Sequence, residues 1–164
     1  DTENKILTIA TAEELALFAK EVNERSNGYK DYTINLAADI DLSAYEWVSI
    51  KGRQEKSPIM YYALTGATFN GNGHTISGMK IANVGDDNYG FGFFGDVGSG
   101  GAIGPEIKDL VFEGAVIDLD DDRSQVGIVI GALNGATTIE NVHVTNSTLT
   151  AGWHSIIIYM GNSC

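Results

Sequence analysis

An apolar comb that returns at a fixed distance constrains this chain more than any other feature. It becomes legible between Gly66 and Ile81. There Asn70-Gly71 and Asn72-Gly73 supply two consecutive places for positive φ, because glycine has no Cβ and asparagine tolerates the left-handed region. Ile76, Met79 and Ile81 follow, and the pattern returns at Ile107, Leu110 and Phe112, then at Ile139, Val142 and Val144. The offsets are 31 (107 − 76) and 32 (139 − 107). A period of roughly 20–50 residues marks a solenoid. This alignment predicts that Ile76, Ile107 and Ile139 form one internal column and Met79, Leu110 and Val142 a second, with members about 4.8 Å apart.

The flanking segments read as a start, fillers and an end for that stack. Residues 5–10 are strand-like, and Thr11-Ala-Glu-Glu14 is a capping box in which the Thr11 hydroxyl and the Glu14 carboxylate each take a helix-end amide, that of Thr11 in the second case. Leu15, Phe18, Ala19 and Val22 make one apolar helical stripe, with Gly28 as the stop. A repeat array has an open hydrophobic first end, so residues 1–28 read as a strand and an amphipathic capping helix, with Leu15, Phe18 and Val22 near Ile34 and Leu36. A partner-binding helix is the rival reading. Tyr32 to Leu36 alternates as a strand, and Ile40 and Leu42 continue it with Asp39 and Asp41 on the solvated parity. Trp47 and Ile50 point inward, Arg53 to Tyr62 reads as an inserted loop, and Val84 to Tyr89 as a polar one. Gly92-Phe-Phe-Gly95 and Gly127-Ile-Val-Ile-Gly131 are equivalents one period apart, the second with one extra residue. Three short strands per period fit a parallel β-helix. The glycine density excludes long helices after residue 26.

The chain has 164 residues, 43% of them hydrophobic, which suits one domain over 1–164: the cap in 1–28 and β-helix turns in 29–164, the last unfinished. A net charge of −12 makes nucleic acid and anionic membrane surfaces poor partners. No run approaches the 18 or so apolar residues of a membrane span. Cys164 is the single cysteine, which excludes an intrachain disulfide and a cysteine metal site. Asp1 stands abruptly before a structured segment, as in a processed or trimmed chain.

Thr11-Ala-Glu-Glu-Leu15, Leu36-Ala-Ala-Asp-Ile-Asp-Leu42 with Trp47, Phe69-Asn-Gly-Asn-Gly-His-Thr-Ile76 and the two glycine-bounded apolar strands together resemble bacterial surface proteins carrying the GLUG motif. The likeness covers residues 8–150. It implies a right-handed parallel β-helix and a secreted or surface-anchored bacterial protein. It carries over no catalytic residues. Some members of the family are pieces of larger proteins, including immunoglobulin-cleaving peptidases whose catalytic part lies elsewhere. No His-Glu-x-x-His pattern stands here.

The candidate chemistry is sparse. Asp118, Asp120 and Asp122 would share one side of an extended segment and could hold calcium, against the blander reading of a solvated corner loop. Asp109 and Glu140 come 31 apart (140 − 109), a carboxylate pair for glycoside chemistry if they meet, although Glu140 aligns better with Lys108 as a cross-strand ion pair. His74 reads as bonded to a turn carbonyl, His143 as outward-facing, and His154 as lying beside Trp153, so no three ligands converge. Trp47 and Trp153 could stack on sugars, but Trp47 fits the core. Asn146-Ser-Thr148 matches a glycosylation pattern that a bacterial protein has no use for.

The sequence therefore reads as an acidic, all-β, right-handed parallel β-helix with an N-terminal capping helix: a non-enzymatic, adhesin-like extracellular repeat protein for adhesion, display or spacing, or a fragment of one. It calls for no catalytic residue, metal or cofactor and leaves the ligand, a glycan or a protein, unassigned. A carbohydrate-binding or carbohydrate-active domain is the alternative. Ile156 to Met160 is apolar on successive positions, which predicts a homodimer through the C-terminal end with Cys164 nearby.

Overall fold

The computed structural model describes residues 3–24, 29–51, 64–82, 84, 89–97, 103–119, 124–133 and 135–151. They form an all-β architecture with one helix. The elements in chain order are β1 (Ile6–Ile9), α1 (Ala12–Glu24), β2 (Thr33–Leu36), β3 (Ile40–Asp41), β4 (Thr68–Asn70), β5 (Thr75–Ser77), β6 (Lys80–Ile81), β7 (Tyr89–Phe91), β8 (Phe94–Val97), β9 (Ile103–Glu113), β10 (Val116–Asp118), β11 (Ser124–Val126), β12 (Ile130–Leu133), β13 (Ala136–Thr145) and β14 (Thr148–Thr150). Tyr89, expected in a loop, opens a strand.

The helix begins where the capping residues direct. The Thr11 hydroxyl accepts the Glu14 amide at 3.2 Å, and the Glu14 carboxylate accepts the amide of Ala10 at 2.7 Å, one residue earlier than the box predicts. Leu15, Phe18, Ala19 and Val22 are buried and belong to the same core cluster as Ile34 and Leu36. The Phe18 ring lies 4.9 Å from that of Tyr29 and 6.2 Å from that of Phe69. Gly28 and Arg53 to Tyr62 lie outside the described residues.

Every named strand pair is parallel. The largest sheet runs β1-β2-β4-β9-β5-β3, with β13 on the other side of β9. β9 serves two partners: Glu106 to Lys108 pair with β4, and Val111 to Glu113 pair with β5. Asp109, at φ 52°, bends the strand between them.

The registers correct the alignment read from the sequence. Ile107 does pair with Ile139 and Leu110 with Val142, but Ile107 sits on Phe69 rather than on Ile76. Ile76 is aligned with Phe112, which is aligned with Val144. One column is therefore Leu7, Ile34, Phe69, Ile107 and Ile139; another is Ile40, Ile76, Phe112 and Val144; a third is Ile81, Ile117 and Leu149. Met79 is buried too, but its carbonyl accepts the Val116 amide, which places it one comb unit away from Leu110. The cause is a degeneracy in the comb. Apolar positions 107, 110, 112, 115 and 117 alternate spacings of 3 and 2, so 76, 79 and 81 fit equally well after a five-residue shift.

The bends recur in register. After the aligned residues Ser77, Glu113 and Thr145 come Gly78, Gly114 and Asn146, all left-handed with φ of 66°, 62° and 48°. After Lys108 and Glu140 come Asp109 and Asn141, at 52° and 50°. Outside glycine that region costs roughly 1–2 kcal/mol, least for Asn and Asp, whose side chains bond locally. Gly92 is needed for space instead: a Cβ there would stand 2.2 Å from the Gly127 carbonyl oxygen. It leads into Phe93, whose ring meets those of Trp47, Phe69, Phe94 and Phe112 at 4.8 to 5.7 Å. The extra residue of the 127–131 segment is absorbed here, since Phe91 aligns with Val126, 35 on, and Phe94 with Ile130, 36 on.

Candidate functional site

A difference in path length opens a groove beside the helix. Lys80 aligns with Val116 and Phe94 with Ile130, and 14 residues separate the members of each set (94 − 80 and 130 − 116). Glu46 and Ile50 bridge to Lys80 and Phe94 but are only 4 apart (50 − 46). The segment 46–50 thus cuts across where β7 and β11 run in the later strands, and α1 lies alongside it.

Trp47 is 7% exposed, stacks on Phe93 at 4.8 Å with rings 1° from parallel, and donates Nε1–H to the Phe93 carbonyl at 3.0 Å. Asn23, near the end of α1, imitates a neighbouring strand. Its Nδ2 donates to the Ser49 carbonyl at 3.0 Å, and its Oδ1 accepts the Lys51 amide at 2.8 Å. Buried Ser49 accepts the Gly92 amide through its hydroxyl, and the Lys51 ammonium stands 4.4 Å over the Phe91 ring.

Between these supports lies a cavity of about 360 Å³ lined by Ala16, Ala19, Lys20, Asn23, Trp47 and Val48, with Glu24 and Glu46 at its margins. A second, about 120 Å³, shares Ala16, Glu46 and Trp47 and adds Ala12, Glu13, Leu42 and Tyr45. A third of about 120 Å³ continues past Val48 to Ile81 and Phe91. Tyr45 and Val48 are 77% and 69% exposed.

Among the polar residues singled out in the sequence, Asp39 and Asp41 serve the backbone. Asp39 accepts the Thr75 amide at 2.9 Å and pairs with His74 Nδ1 at 3.1 Å, so His74 bonds a carboxylate rather than a turn carbonyl. The Thr75 amide and then His74 hold the Asp39 carboxyl below its ordinary pKa, and the Ser43 amide and hydroxyl do the same for Asp41. Both are exposed. Asp109 meets Asn141 at 2.7 Å, not Glu140, and His143 contacts the same Asn141 at 3.0 Å. Glu140 is aligned with Lys108 as the offset predicts, while the Lys108 ammonium lies 3.1 Å from Glu106. Asp118 is exposed; Asp120 to Asp122, Trp153, His154, Ile156 to Met160 and Cys164 lie outside the described residues. Among the described residues no group of three or more His, Cys, Asp or Glu stands together to hold a metal ion. No helix among them is long and apolar enough to cross a membrane.

Sequence reasoning missed the groove. Its signals were Ala12 and Ala16 along α1 and the unusually short path from Glu46 to Ile50. No family model, curated protein or solved structure matches this chain.

Proposed function

We propose that this chain is a non-catalytic surface module of the GLUG kind, a right-handed parallel β-helix over residues 1–164 that α1 caps at its first end and that engages a partner outside a bacterial cell. Support for the fold lies in uniformly parallel pairing, in apolar columns that run through up to five strands, and in left-handed bends that recur in register. The observation that carries the function is the apolar groove beside α1, flanked by exposed Tyr45 and Val48. Asp109, one of the two carboxylates that an enzyme reading would pair, bonds Asn141, and Asp39 holds the Thr75 amide. Adhesion is tested by immobilising the purified chain against a panel of glycans and matrix proteins. A retained ligand that Tyr45→Ala together with Val48→Ser releases supports the reading. A chain that retains nothing on the panel refutes it.

A further inference from the structure

We infer that the groove beside α1 takes an extended peptide segment with one or two apolar anchors flanked by lysine or arginine. The inference deepens the adhesive reading and rests on it. From Ala12 to Glu24 the helix is about 18 Å long at 1.5 Å per residue, room for about five residues of extended chain. The floor is apolar: Ala16, Ala19, Leu42 and Trp47.

The polar groups of Trp47 and Asn23 at the floor are already engaged. One Trp47 face lies against Phe93, its ring N–H serves the Phe93 carbonyl, and the Asn23 amide serves Ser49 and Lys51. Hydroxyl recognition requires such donors and acceptors, whereas an apolar anchor requires only a dry floor. The margins supply the second half of the specificity. Among the described residues that line the two cavities beside the helix are the carboxylates Glu13, Glu24 and Glu46 and the cation Lys20, which lies 3.9 Å from Glu24. In a chain of net charge −12 this favours a cationic occupant.

The test uses the full chain and an acetylated, fluorescein-labelled pentapeptide, Lys-Leu-Lys-Phe-Lys, with Lys-Ser-Lys-Ser-Lys and Glu-Leu-Glu-Phe-Glu as controls, read by anisotropy. The first peptide should bind with Kd on the order of 100 µM, and both controls at least about tenfold more weakly. Raising salt from about 0.15 M to about 0.5 M should weaken binding severalfold. Ala16 is exposed, so Ala16→Trp fills the groove without entering the core; it should reduce affinity about tenfold, while Leu17→Trp, at an exposed helix position that lines neither cavity, leaves it unchanged. Equal melting temperatures for these two variants and the parent check their folding. Binding indifferent to Ala16→Trp, or matched by the serine peptide, overturns the inference, because attraction would then be charge alone. A glycan displaced by Ala16→Trp, or a self-association that it abolishes, also overturns it and assigns the groove to a sugar or a second copy. Adhesion on the panel that survives Ala16→Trp leaves the surface-module reading standing while the peptide site falls.

Discussion

Aligning Ile107 with Phe69 rather than Ile76 has a measurable thermodynamic consequence. Ile107 and Phe69 are fully buried and in register. Ile107→Ala removes three carbons, about 2.4 kcal/mol at about 0.8 kcal/mol each, and the cavity left behind raises the cost to about 3.5 kcal/mol. Phe69→Leu trims the ring but keeps a large apolar side chain, and should cost about 1 kcal/mol. Their sum stays within the usual stability of a domain, so the double variant still folds. Because the two side chains share one cavity, the double variant should be less destabilised than the sum, with a coupling of about 1 kcal/mol. Ile76→Val costs about 1 kcal/mol and should add to Ile107→Ala within about 0.5 kcal/mol, since Ile76 lies against Phe112, five positions further along β9. Urea titration with an m-value of about 2 kcal/mol/M turns the Ile107→Ala cost into a midpoint shift of about 1.8 M. Additivity for Phe69 with Ile107, joined to coupling for Ile76 with Ile107, would restore the 31-residue alignment and refute the register.

Gly92→Ala should destabilise more than Gly114→Ala, although only Gly114 has positive φ: the first drives a Cβ to 2.2 Å from a backbone oxygen, the second meets open space. Thermal melts should rank them so, with about 2–3 kcal/mol for Gly92→Ala and about 1 kcal/mol for Gly114→Ala. Gly114→Asn should cost less than Gly114→Ala, because the position aligned with it already holds Asn146. Asp39 and Asp41 have folded pKa values below the unfolded value of about 3.9, so their contribution is present above that pH and lost as pH falls through the folded values. Urea midpoints at about pH 5 and about pH 2.5 should therefore differ less in Asp39→Asn and Asp41→Asn than in the parent, and an unchanged difference would remove these groups from the acid transition. Asn23→Leu cuts both bonds to the 49–51 backbone and should cost about 1–3 kcal/mol, with hydrogen exchange at the Lys51 amide as the local readout.

The extent to which this fold was legible followed from which signals were unique. The helix was bounded by Thr11 and Glu14 and striped by Leu15, Phe18 and Val22, a pattern no strand tolerates, and α1 stands where it was read. The pairing of Ile107 with Ile139 was legible because the irregularities of the intervening chain, an extra residue in 127–131 and a register shift between Ala136 and Thr138, fall outside the comb. The step from Ile76 was misread because a 3-and-2 spacing is unchanged by a shift of five. What distinguishes the two alignments is the corner at Asn70 to His74, which puts Ile76 7 positions after Phe69 where Phe112 stands only 5 after Ile107. The groove was not legible. It arises from the path from Glu46 to Ile50 lying beside a helix some 30 residues earlier, and no local pattern encodes that meeting.

The registers also determine how the chain assembles in time. Aligned residues are 27 to 38 apart in every named strand pair (33 − 6 for the smallest, 106 − 68 for the largest). In a chain of 164 residues such pairings span about 0.2 of the length, and non-local strand pairing of this kind belongs to slow, millisecond-to-second folders. The spread in separation changes the closure entropy by only about 0.3 kcal/mol, too little to select a starting point. Length of contact does select one: β9 and β13 align eight residue pairs, whereas β1 and β2 align four. The first pairing to survive should be β9 with β13, joining outward to β4 and β5 and reaching the helix last. Substitutions at Leu110 and Val142 should then slow refolding, while those at Phe18 chiefly speed unfolding.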